Sequence, residues 1–539
     1  MHDIVIRGGT IYDGSGSAPF VGDIGIDGQA IAAIGAPGTL SGQQVINADG
    51  LAVAPGFINM LSWAVESLIE DGRSQGNLRQ GVTLEVLGEG FSMGPLSDAM
   101  KAAGTRGILG NNDIQYEVDW TTLGEYLESL VRRGVSTNVA SFVGTSTLRI
   151  HALGYEDRPP TPAELEDMQE LAAQAMREGA VGLSSALIYP PAAYASTDEL
   201  IALAKVVSQY GGLYISHLRS EGDHFLEALE ELITISREAN IRAEIYHLKA
   251  AGRKNWGKMA QVIERVEQAR RDGMEITADM YLYPAGGTGL NAIIPPWAHD
   301  GGDAALLARL RDPETRARVK QGILEDLSWE NMYLEADGPD KILLAGFTTE
   351  ALKPLTGKTL AEVAALRGTD PIETAFDLLI EDGGRIFTMY FTMSEDNIRR
   401  QVQLPWVSFC SDAESMSPEG VFLKSNPHPR AYGNFARLLG HYVRDEGLVP
   451  LPEAIRRLTS FPASVLRLQK RGSLQVGNFA DIAIFDAATV RDHATFAAPH
   501  QFAEGMVHVL VNGTPVIRDG EHTDAKPGQV VRGPGWMKD

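Results

Sequence analysis

Tyr214-Ile215-Ser216-His217 and Ile245-Tyr246-His247-Leu248-Lys249 are two short runs of strand-forming residues, each following a helical pattern and each carrying a histidine near its end. The histidines stand about thirty residues apart, the period of successive parallel strands joined by a helix. In a parallel barrel that period brings strand ends side by side at one mouth, where catalytic groups collect. Two imidazoles converging there form half of a zinc site. The same spacing suits two unrelated core or hydrogen-bonded histidines, and spacing alone leaves both readings open.

Outward from this pair the alternation continues. Gly81-Val82-Thr83-Leu84-Glu85-Val86-Leu87-Gly88, Val139-Ala140-Ser141-Phe142-Val143-Gly144 and Ala180-Val181-Gly182-Leu183-Ser184-Ser185 precede it. Glu275-Ile276-Thr277-Ala278-Asp279-Met280-Tyr281 and Trp406-Val407-Ser408-Phe409-Cys410-Ser411-Asp412 follow it. Helical patterns such as Thr161 to Glu178 lie between, the first opened by Thr161, Pro162 and an acidic first turn. About eight such units predict an α/β chain with a (β/α)8 TIM-type barrel over 55–468. A break at about 286–347, with a Pro-Pro-Trp loop and a charged helix, predicts an insertion that is either a lid or a surface elaboration. Residues 1–54 and 469–539 read as strands with Asp-Gly and Asn-Gly turns, which predicts one small β-sandwich domain built from both termini.

Composition narrows the function. The chain has 539 residues, a net charge of -23 and one cysteine, Cys410. That charge argues against nucleic acid or an anionic membrane as partner. One cysteine excludes an intramolecular disulfide and a thiolate zinc cluster, so a reducing, cytoplasmic setting is expected. No signal-peptide pattern opens the chain, and no apolar run approaches the roughly 20 residues of a membrane span. A small-molecule substrate is the expectation, and the oligomeric state is open, a homo-oligomer included.

Motifs along nearly the whole chain then give a specific resemblance. They are Val5-Ile6-Arg7-Gly8-Gly9-Thr10-Ile11-Tyr12-Asp13-Gly14, Pro55-Gly56-Phe57-Ile58, Arg79-Gln80-Gly81-Val82-Thr83, and Gly182-Leu183-Ser184-Ser185-Ala186-Leu187-Ile188-Tyr189-Pro190-Pro191. Further on come Ser216-His217-Leu218-Arg219-Ser220-Glu221-Gly222-Asp223, His247-Leu248-Lys249-Ala250-Ala251-Gly252, Ser411-Asp412, Asn426-Pro427-His428-Pro429-Arg430 and Phe479-Ala480-Asp481-Ile482-Ala483. In this order they resemble the D-aminoacylase (N-acyl-D-amino-acid deacylase) group of the amidohydrolase superfamily. The resemblance implies a metal-dependent barrel with a two-ended β-sandwich, and hydrolysis of an N-acyl amino acid, in the D series for this group.

The chain also departs from that pattern. The superfamily's first strand normally ends in His-X-His; here Leu61 and Trp63 stand at those positions, and neither side chain ligates such a cation. Gly144-Thr145-Ser146 replaces a usual Gly-His-Gly, and Glu89 is the one ligand type in a loop where the group supplies a cysteine. The expected metal set is therefore Glu89, His217 and His247, holding one Zn2+ per chain with a position open for water. Asp412 is the expected acid–base group. Lys249 is expected to hold an oxyanion or a carboxylate. Arg430, Arg219, Tyr189, Tyr281 and Tyr283 are the expected substrate-binding residues. Hydrolysis of a cyclic amide or ester, and a catalytically silent ligand-binding protein, are the alternatives that the lost histidines leave open.

Overall fold

The computed structural model describes residues 1–103 and 113–537. The last two residues of the expected C-terminal β segment lie outside the described residues.

Strands Phe57–Ser62, Val82–Leu87 and Asn138–Ser141 pair in parallel, in chain order. Val143–Gly144, Gly182–Ala186, Leu213–His217, Arg242–Ile245 and Ile276–Ala278 form a second parallel run, again in chain order. Phe142 alone separates the two runs, and its N–H donates to Leu87 O at 2.9 Å. Every residue of Val82–Leu87 and of Leu213–His217 is buried, as strands covered on both faces require. Beyond the last strand, Ala278 pairs in parallel with Val407, and Cys410 N donates to Met280 O at 3.0 Å. Residues 411–413 return to the first strand: Asp412 N donates to Leu61 O at 2.9 Å and Trp63 N to Ala413 O at 3.0 Å.

The helices between strands bury one face against a shared core that includes Leu200, Leu203, Leu229, Leu232 and Val262. Helix Pro162–Arg177 starts where its sequence dictates. Thr161 Oγ1 accepts from Glu164 N at 3.3 Å, while Glu164 Oε2 accepts from Thr161 N at 2.7 Å.

Both chain ends contribute to one nine-stranded sheet. Strand Ile482–Phe485 runs antiparallel to Ala52–Pro55, with Ile482 opposite Pro55, so the two ends are joined directly ahead of the first parallel strand.

The inserted region has a core of its own. Strands Gly286–Gly289, Ile342–Gly346 and Phe387–Tyr390 make an antiparallel sheet. A separate apolar cluster runs from Leu290 to Tyr390. This unit extends past the expected limit near 347, because helices Leu360–Arg367 and Pro371–Asp382 turn their apolar faces to it. Amphipathicity alone does not say which core a helix covers. Among the described residues, no helix is long and apolar enough to cross a membrane.

Candidate functional site

The parallel strands deliver their chemistry at their C-terminal ends. His217 is the last residue of Leu213–His217, and His247 lies two residues past Arg242–Ile245. Glu89 follows Val82–Leu87 between Gly88 and Gly90, both at positive φ (98° and 65°). Those glycines are required by space as well as by backbone angle. A Cβ on Gly88 would lie 2.6 Å from Phe142 O, and one on Gly90 2.6 Å from the Ala186 Cβ.

Glu89 Oε1 lies 3.1 Å from His217 Nδ1 and 2.8 Å from His247 Nε2. The two imidazoles meet nearly edge to face, with centroids 4.4 Å apart. Glu89, His217 and His247 are all buried, and one ligand atom from each falls within 4.8 Å of the others. Two imidazole nitrogens and one carboxylate oxygen are a donor set that suits zinc, and Glu89 Oε1 stands against both His217 Nδ1 and His247 Nε2. The residues present therefore fit the ion that the sequence implies.

Electrostatics bind the cluster together. Burial pushes the Glu89 carboxyl up, but His247 and His217 outweigh it and hold the group below the usual carboxylate range. Burial and Lys249 push His247 down, yet Glu89 and Glu221 overcome them and raise it to about 10 without a cation present. Burial pushes His217 down. Burial also raises Asp412, with Arg430 opposing. The Asp412 carboxylate divides its oxygens: Oδ2 takes Arg430 Nη2 at 2.8 Å, and Oδ1 takes Trp63 Nε1 at 3.2 Å.

The remaining expected residues separate into two groups. Lys249, Arg430, Tyr189 and Tyr281 are brought to the cluster. Lys249 Nζ is 2.6 Å from His247 Nδ1 and 2.7 Å from Glu221 Oε1. Tyr189 lies edge-on to His217 at 5.4 Å, and Tyr281 to His247 at 6.3 Å. The Arg430 guanidinium stacks 4.3 Å over Tyr281. Its Nε and Nη1 are buried without a partner among the described residues.

Arg219 and Tyr283 are not brought to it. The Arg219 guanidinium is bonded to Glu231 and to the carbonyls of Ala193 and Ala195. Tyr283 OH donates to Asp492 Oδ2 at 3.0 Å. Arg219, two residues past His217, would share that histidine's face if the strand continued, but the strand stops at His217. The chain then turns Arg219 toward helix Phe225–Ala239, which carries Glu231. For Tyr283 the competing carboxylate, Asp492, is two hundred residues away in sequence and gave no local signal.

Two contributors, Glu221 and Asp279, were not singled out from sequence. Glu221 Oε1 lies 3.1 Å from His247 Nδ1, the nitrogen away from Glu89. The same carboxylate oxygen takes the Lys249 ammonium, which contacts that nitrogen more closely, at 2.6 Å. The signal for Glu221 was its place four residues after His217 in a motif already quoted. Asp279 Oδ1 accepts the His247 N–H at 2.6 Å, supporting a backbone at φ 32°. Trp63, read as a bulky substitute for a ligand, donates its indole N–H to Glu89 Oε2 at 3.0 Å as well as to Asp412.

The chain is similar to known proteins along nearly its whole length. A model of the amidohydrolase family matches residues 44–517. D-aminoacylase of Alcaligenes xylosoxydans xylosoxydans is 34% identical over 536 residues, covering 98% of this chain and 97% of its own. A solved D-aminoacylase, described as having a binuclear metal centre with one-metal activation and second-metal attenuation, superposes with TM-score 0.81 at 31% identity, covering 99% of this chain and 100% of its own. N-acyl-D-glutamate deacylase from Bordetella bronchiseptica, solved with zinc and a phosphonate mimic of the tetrahedral intermediate, gives TM-score 0.79 at 30% identity, over 98% and 99% of the two chains. With its strand-end histidines, the buried carboxylate against them and this full-length likeness, the chain belongs to the amidohydrolase family, within the D-aminoacylase group.

Proposed function

We propose that this protein is a zinc-dependent deacylase that hydrolyses the amide of an N-acyl-D-amino acid, with one zinc per chain. The observation that carries the reading is the buried convergence of Glu89, His217 and His247. These three residues would hold the ion. When bound, zinc supplies Lewis acidity, polarising the scissile carbonyl and making water acidic enough to attack near neutral pH.

The chain's own groups do the rest. Asp412, whose Oδ1 shares the Trp63 indole N–H with Glu89, would take the proton of the attacking water and return it to the leaving nitrogen. Burial, which raises its pKa, favours that return. Glu221 lies beside His247 and pairs with Lys249, keeping that ammonium charged against its burial. Arg430 has two donors, Nε and Nη1, unused and buried. A planar guanidinium with free donors suits the bidentate capture of the substrate's free carboxylate. Tyr189 and Tyr281 wall the same space.

The pairings also support reading the parallel strands as one closed (β/α)8 barrel, with residues 411–413 as the eighth edge. Ile6, Ile24, Ile482 and Leu510, from both ends of the nine-stranded sheet, share one apolar cluster, which supports a sheet folded on itself as a sandwich.

The test is chelation, reloading with one equivalent of zinc, and assay of amine release from N-acetyl-D- and N-acetyl-L-amino acids with apolar and acidic side chains. Zinc-dependent hydrolysis of D substrates is expected. Zinc-loaded protein that hydrolyses none of them would overturn the assignment.

A further inference from the structure

We propose that the Trp63 indole N–H occupies the place of a second cation between the Glu89 and Asp412 carboxylates, so that the site admits one zinc and excludes another. This rests on the zinc-deacylase reading and concerns what this chain puts in place of the missing first-strand ligands.

The geometry has three parts. First, the indole nitrogen is 3.0 Å from Glu89 Oε2 and 3.2 Å from Asp412 Oδ1. Two carboxylates facing one small space are what a second divalent ion bridges in two-metal sites. Here an N–H dipole stands between them instead. Indole nitrogen is a donor only, so it satisfies both oxygens and cannot ligate a metal.

Second, the indole is locked in register with its acceptor. Trp63 N donates to Ala413 O at 3.0 Å, and Asp412 N to Leu61 O at 2.9 Å. Below them Asn59 stitches the same two chain segments, its Nδ2 donating to Ser411 Oγ and its Oδ1 accepting from Ser411 N, both at 2.8 Å. Moving the indole aside would mean separating these segments. Leu61, at the other lost position, is fully buried and brings no donor atom.

Third, each carboxylate is partitioned. Glu89 gives Oε2 to Trp63 and leaves Oε1 to the two imidazoles. Asp412 gives Oδ1 to Trp63 and Oδ2 to Arg430. The indole therefore makes Glu89 a one-oxygen ligand and sets the plane of the acid–base carboxylate. Trp63 is a positioning residue: it acts through the two carboxylates that its N–H bonds.

The experiment measures zinc per chain by elemental analysis after equilibration with excess zinc and gel filtration. Wild type is expected to hold one. Trp63→His, which puts an imidazole beside the same two carboxylates, is expected to hold two. Trp63→Phe keeps the ring and loses the N–H. It is expected to keep one zinc, with kcat lowered about tenfold or more, the weight of one hydrogen bond to a charged acceptor. Two zinc ions in wild type would overturn this inference alone. So would one zinc in a Trp63→His protein of native circular dichroism, or wild-type kcat in Trp63→Phe. No zinc in wild type would overturn the metal-dependent function, and this inference with it.

Discussion

His247 and Asp412 both sit at positive φ, 32° and 45°, where a side chain other than glycine is strained. Such strain persists when the surroundings over-determine it, and here Asp279 and Leu61 hold the two backbones by hydrogen bonds. Removing the charge but not the shape of Asp412 isolates its chemistry. Asp412→Asn should lower kcat by about 10²- to 10⁴-fold while zinc content and melting temperature stay close to wild type; a near-native rate would place the proton transfer elsewhere. A second residue-scale prediction concerns Glu66, which is buried and accepts from Tyr116 OH at 2.8 Å. Burial lifts its carboxyl from 4.5 to about 8. Between those values the folded chain keeps a proton that the unfolded chain has released. Stability therefore falls as pH rises through that window, by up to about 1.4 kcal/mol per pH unit from this group. Glu66→Gln should flatten that part of the melting profile, and an unchanged slope would exclude Glu66 as its source.

At the scale of elements, the Ser220–Gly222 loop links the inserted region to the cluster of Glu89, His217 and His247. Glu330 Oε2 accepts from Ser220 Oγ at 2.7 Å, from Glu221 N at 3.1 Å and from Gly222 N at 3.3 Å. Glu221 in turn holds Lys249 and His247. Glu330→Ala should release the loop and weaken zinc binding, read by competition with a chromogenic chelator. The loss should approach the about 10- to 100-fold that follows removal of a carboxylate supporting a ligand; unchanged affinity would mean the loop needs no such pin. Elements whose signals are local were legible in the sequence. The Thr161–Glu164 capping box is one, and Thr161→Ala should cost about 1 kcal/mol in a melting experiment. The strands leading to His217 and His247 are another, because each is a short run of strand-forming residues that follows a helical pattern. What could not be read depends on contacts distant in the chain: Tyr283 with Asp492, Arg219 with the helix beyond its strand, and the Glu330 anchor. The helices of 360–382 carry an amphipathic pattern that fits either core.

Across the whole molecule, the two chain ends are joined edge to edge by Ala52–Pro55 and Ile482–Phe485, next to the strand that carries Asn59 and leads into Trp63. The alternating strands and helices made that architecture legible, and the motifs around His217, His247 and Asp412 pointed to the cluster. The histidines absent from positions 61 and 63 said that a ligand pair was missing, but only the assembled mouth reveals the donor that replaces it. Because the ion binds groups that come together only on folding, chelation should lower the melting temperature and zinc should restore it. At a free concentration 100 times its Kd, binding adds about 2.7 kcal/mol. The most direct test of the central claim is an anomalous difference map collected at the zinc edge from zinc-loaded crystals. One peak bonded to Glu89 Oε1, His217 Nδ1 and His247 Nε2 at about 2.0–2.2 Å is predicted. A peak elsewhere with those three side chains left bonded to one another would contradict it.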